Sequence, residues 1–157
     1  MDYLTLKWLR VISSTVLFGT GIRSAFYLLV ATLARDVRTV AAVTRYVVMA
    51  DWLFTSTTAI LQPLTGFWLM HIAQMPLAAP WIATSLWLYG FAIACWWPVV
   101  WIQLRLRDLS GAAAAAGQAL PRAYWRFFAA WMVLGFLAFF AFLAIFYLMV
   151  AKRLPWW

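Results

Sequence analysis

The 157 residues are 68% hydrophobic and only 10% charged, where a soluble domain carries about 25%, so the composition is that of an integral membrane protein. A single Cys excludes an intrachain disulfide and a cysteine metal cluster, and one His with no Glu leaves few catalytic repertoires open. The net charge of +8 comes from Lys and Arg that mostly flank apolar stretches, which assigns it to topology and anionic lipid rather than to nucleic acid.

Four apolar spans, about 4–33, 43–73, 81–104 and 124–150, fill a single transmembrane domain over residues 1–157. The expected fold is all-α, a four-transmembrane-helix up-down bundle, because the short connections make neighbours antiparallel. The first two spans exceed the roughly 20 residues a bilayer needs, and are expected to tilt or project. The N-terminal stretch does not read as a cleavable signal peptide. Span one carries Gly19, Gly21, Ser24 and Ala25, a small-residue side that predicts close helix approach. The charged turn Arg35-Asp36-Val37-Arg38 follows it, then span two, then an uncharged connection over 74–80. After span three comes a Gly/Ala-rich stretch from Ser110 to Ala119, expected to be a mobile loop.

The connections after spans one and three, with adjoining helix ends, hold seven arginines: Arg35, Arg38, Arg45, Arg105, Arg107, Arg122 and Arg126. The other side holds four basic residues, Lys7, Arg10, Lys152 and Arg153. The positive-inside rule then puts those two connections in the cytoplasm and both termini outside. Trp8, Trp68, Trp81, Trp156 and Trp157 would form the outer aromatic belt, with Trp101 and Trp125 near the inner one and Trp87 and Trp131 in the core.

The most informative stretch lies in span two. Asp51, Thr55, Thr58, Gln62 and Thr65 are spaced 4, 3, 4 and 3, which at about 100° per residue lays them along one helix face. A carboxylate and an amide are costly in hydrocarbon, so this seam should face protein. Folding spans one and two about Val37 brings Arg23 to the depth of Asp51, and an Arg23–Asp51 pair is expected, as a structural clamp or as a ligand site. Pro63 and Pro98 should kink their helices, with Gln62 serving a carbonyl that Pro63 frees. His71, near the outer end of span two, is a candidate ligand for heme or metal, or a headgroup contact like Lys7 and Arg10.

Leu6-Lys7-Trp8-Leu9-Arg10, Leu17-Phe18-Gly19-Thr20-Gly21, Ala50-Asp51-Trp52-Leu53-Phe54-Thr55 and Leu61-Gln62-Pro63-Leu64-Thr65-Gly66 resemble an uncharacterised family of bacterial predicted integral membrane proteins. So do the run Trp97 to Gln103 and the closing Tyr147-Leu148-Met149-Val150-Ala151-Lys152. That domain-of-unknown-function family is distantly similar to HemJ-type protoporphyrinogen oxidases and CopD-type copper-resistance proteins, both of four helices. In such proteins the first helix commonly begins with Lys, two residues, then a His that is a heme-ligand candidate. Here Lys7 is followed at that distance by Arg10, which has no lone pair for iron.

The expected function is a non-catalytic accessory or assembly subunit of a larger bacterial energy-transducing membrane complex, in contact with lipid and with other membrane subunits. The residue types point to no catalytic group and no resident metal. An aromatic share of 19% would suit lipid, quinone, pigment or heme surfaces. Two other readings stay open. One is a degenerate HemJ-like heme-dependent oxidoreductase using His71. The other is a small-molecule or ion carrier using Arg23, Asp51 and Gln62.

Overall fold

The computed structural model describes residues 2–74, 76 and 79–151, and these are helical with no strand among them. Helix α1 (Tyr3–Ala34) ends at Arg35, which adopts φ 59 and returns its N–H to the Thr32 carbonyl. Asp36 then caps α2 (Val37–Ala50), accepting from the Arg38 N–H at 3.3 Å and from the Thr39 hydroxyl. That hydroxyl, first among its partners, holds the exposed Asp36 carboxyl below its ordinary pKa. A π-turn (Asp51–Thr55) joins α2 to α3 (Ser56–Ile72), so helical chain runs on from Val37 to Ile72. Helix α4 (Pro80–Ala116) opens on a proline whose missing N–H would have had no helical partner, and α5 (Arg122–Ala151) closes the described chain.

Three helices, α1, α4 and α5, are long and apolar enough to cross a membrane. With 14 and 17 residues, α2 and α3 are each shorter than that. The expected loop over Ser110 to Ala119 is instead the last two turns of α4, ending at Gly117 with φ 62. Ala is the best helix former, and a run of it favours helix unless glycine interrupts. Buried Ser110 and Ala113 also anchor this extension in the core, and the N–H of Gln118 closes it onto the Ala113 carbonyl at 3.0 Å.

The core lies where α2 meets α4 and α5. Leu28, Val40 and Leu106 are fully enclosed there, with Ile102, Phe128 and Trp131 packed around them. Tyr124 is enclosed too, and its hydroxyl shares a 2.9 Å hydrogen bond with that of Thr32. Trp87, expected in this core, is 82% exposed. It lies two positions past buried Ser85, about 200° round the helix, and so points outward. Arg105 and Arg35 lie over Trp101 and Trp125, 5.3 and 6.0 Å from the ring centroids, at the end assigned to the inner aromatic belt. Lys152, Arg153, Trp156 and Trp157 fall outside the described residues, as do residues 75, 77 and 78 of the 74–80 connection.

Candidate functional site

All five residues of the seam, Asp51, Thr55, Thr58, Gln62 and Thr65, are buried. Their hydrogen bonds divide them into two kinds. The threonines stay local: Thr58 donates to the Phe54 carbonyl at 2.7 Å, Thr65 to that of Leu61 at 2.7 Å, and Thr55 to the Asp51 carboxylate at 2.9 Å. Asp51 and Gln62 reach other helices. Asp51 accepts from the Gln103 amide of α4 at 2.7 Å. Gln62 donates to Ser13 at 2.8 Å and to Ser14 at 2.6 Å on α1. The two longer polar side chains therefore act as separate clamps, one to α4 and one to α1.

The first clamp sits at the π-turn. There the Ser56 N–H bonds back five residues to the Asp51 carbonyl, inserting an extra residue into one turn. Gln103 is 2% exposed and is an isolated amide in an apolar run. It lies outside the polar seam, and its signal in the sequence is that of any polar side chain inside a span, which needs a partner.

The expected Arg23–Asp51 pair is not formed. Among the described residues the ion pair is Arg107–Asp108, on the surface. Arg23 is exposed, its guanidinium 5.9 Å from the Tyr27 ring centroid. Hairpin counting predicts depth along the membrane normal but says nothing about azimuth. The inward side of α1 is Leu17, Ser24, Leu28 and Ala31, and Arg23, one residue before Ser24, is rotated about 100° from it.

Pro63 behaves differently from expectation as well. It has no N–H for the Ala59 carbonyl four residues earlier. That carbonyl accepts from the Tyr89 hydroxyl of α4, and the Gln62 side chain serves α1 instead. His71 is exposed at the end of α3, and no group of three metal-ligating side chains assembles among the described residues.

Helix α3 packs on α1, whereas α4 packs along α5 and against α2, so the two pairs separate beyond the π-turn. Between them lies a cavity of about 1030 Å³ bordered by Lys7, Arg10, Gln62, Gly66, Tyr89 and Met149. A second cavity of about 390 Å³ is bordered by Asp51, Thr55, Gln103, Trp96 and Trp131. Leu17, Phe18 and Phe142 border both. The Nε1 atoms of Trp96 and Trp131 are buried with no hydrogen-bond partner among the described residues. Gly19 and Gly21 do not carry a close helix approach: a Cβ on either would meet nothing within 4 Å, and they border the cavities.

Residues 4–153 match a family described as "Predicted integral membrane protein (DUF2269)". No curated protein and no solved structure matches the chain.

Proposed function

The chain belongs to the DUF2269 family of predicted integral membrane proteins, and we propose that it is a non-catalytic accessory subunit of a larger complex in a bacterial inner membrane. In this reading α1, the interrupted helix from Val37 to Ile72, α4 and α5 are four spans of an up-down bundle. Both termini are periplasmic, on the strength of the arginines gathered at the other end.

The observation that supports the reading is Arg23. At 1.5 Å per residue it stands about 17 Å inside the Ala34 end of α1, and it faces outward beside Ile22, Phe26 and Tyr27. A guanidinium is costly at that depth, and the partner the described residues give it is an aromatic ring. A neighbouring membrane helix that offers a carboxylate or a free carbonyl there would remove that cost. The two clamps argue in the same direction, because Asp51 and Gln62 already hold helices together through neutral partners. A HemJ-like role is less well supported, since Arg10, at the position of the expected ligand, directs its guanidinium to the Gln62 carbonyl and the Met149 sulfur.

A photo-crosslinking residue at Tyr27 in native membranes tests the proposal. One discrete partner adduct is expected, lost on Arg23→Gln and absent when the label is moved to Trp87. A protein that forms no adduct, and purifies alone in mild detergent with or without Arg23→Gln, would defeat it.

A further inference from the structure

The larger cavity has a cationic end and an apolar length. Arg10 is half-buried in its wall, and exposed Lys7 borders it one turn away on the same face of α1. A guanidinium carries five N–H donors. Those of Arg10 reach the Gln62 carbonyl at 3.0 Å and the Met149 sulfur at 3.2 Å, the second a weak acceptor. No carboxylate of the described residues lies within ion-pair distance of it. Gly66 makes the placement possible, because a Cβ at that position would overlap the Arg10 guanidinium. The fold thus holds a partly desolvated cation against α3 and leaves it short of anionic partners, an arrangement that favours an incoming anion.

Beyond Arg10 the cavity is walled by Leu17, Phe142 and Phe146, and Phe18 packs edge-on against Phe146 at 5.0 Å at the deep end. Its volume of about 1030 Å³ reaches the top of the roughly 300–1,000 Å³ range of ligand pockets, which is room for a long apolar molecule rather than a small anion. We propose that this cavity binds an anionic membrane phospholipid, its phosphate against Arg10 and Lys7 and an acyl chain along Leu17, Phe18 and Phe142. Among the described residues, two cations and no carboxylate at the head position select against a zwitterionic headgroup, whose ammonium would find no partner there. The site is independent of the Arg23 face, and either proposal can fail without the other.

Native mass spectrometry of the full chain in mild detergent reads the outcome, with phosphatidylglycerol, phosphatidylcholine of the same chains and inorganic phosphate as probes. The expected result is one retained phosphatidylglycerol, preferred about tenfold over phosphatidylcholine and not displaced by phosphate. Arg10→Gln should lower retention about tenfold, Lys7→Gln by a smaller factor, and Arg10→Lys should restore most of it. Gly66→Ala should also weaken retention by moving the guanidinium. Since Arg10→Gln also removes a bond to Gln62, Lys7→Gln is the variant that leaves the α1–α3 clamp intact. Equal retention of the two lipids, retention unchanged by both Lys7→Gln and Arg10→Gln, or displacement by phosphate alone would each overturn the proposal.

Discussion

The two ends of the bundle solve the same packing problem in different ways. Where α2, α4 and α5 meet, enclosed Leu28, Val40, Leu106 and Tyr124 interlock into a conventional core, with the Thr32–Tyr124 hydroxyl pair as its polar contact. Past the π-turn, α3 is fastened to α1 by Gln62, Ser13 and Ser14, and the space toward α4 and α5 is a cavity. Close packing holds the first region; a few directional bonds hold the second. The comparison teaches that apolar content does not decide where a helical membrane protein is tightly packed, because lipid-like side chains abound at both ends. Short polar side chains fix which helices touch, and the mismatch left between them becomes the site.

Core truncation should divide the two ends most clearly. Leu106→Ala is expected to cost about 2–5 kcal/mol in unfolding measured in lipid–detergent mixtures, since Leu106 is fully enclosed. Leu86→Ala, 40% exposed beside the cavity, should cost within about 0.5 kcal/mol. Equal losses would mean that the open end is as closely packed as the other.

The clamp between the ends comes next. Asp51→Ala removes the acceptor of buried Gln103 and should cost about 1–3 kcal/mol. A double-mutant cycle with Gln103→Leu should be strongly non-additive, and one with Arg23→Gln additive within about 0.5 kcal/mol. Coupling of Asp51 to Arg23 instead of Gln103 would restore the pairing that hairpin counting suggests.

A smaller effect isolates the bond from α4 to α3 across the cavity side. Tyr89→Phe leaves the Ala59 carbonyl without its donor and should cost about 1 kcal/mol. In a Pro63→Ala background the backbone regains an N–H four residues on, and the same change should then cost less. An undiminished cost would show that Tyr89 contributes through packing instead.

The smallest expected effect lies at the α1–α2 turn. Asp36 has a carboxyl pKa lowered in the folded chain, chiefly by the Thr39 hydroxyl. Its stabilisation is therefore present above the unfolded carboxyl value of about 3.9 and is lost as pH falls through the folded value. Thr39→Val should flatten that acid-side slope in pH-dependent melts, and an unchanged slope would count against the cap.

Much of this architecture was legible along the chain. The apolar stretches located α1, α5 and the start of α4 within a few residues, and the 4-3-4-3 polar spacing picked out a buried face. The Ala-rich run misled because low complexity and helix propensity point opposite ways, and buried Ser110 and Ala113 side with the helix. Trp87 misled because hydrophobicity in a membrane protein no longer distinguishes inside from outside.

What the sequence by itself determined is what depends on local chemistry: helical segments, the turn at Arg35-Asp36, the proline that leaves a carbonyl without its donor, and the polar residues too costly to face lipid. Which partner each polar group takes was decided only in three dimensions. Helical phase put Ser24 inward and Arg23 outward, the π-turn set Asp51 beside Gln103, and the divergence of α3 from α4 left Arg10 in the wall of a cavity. The physical reason is that depth follows from counting residues, whereas azimuth and the gaps between helices depend on how whole surfaces pack.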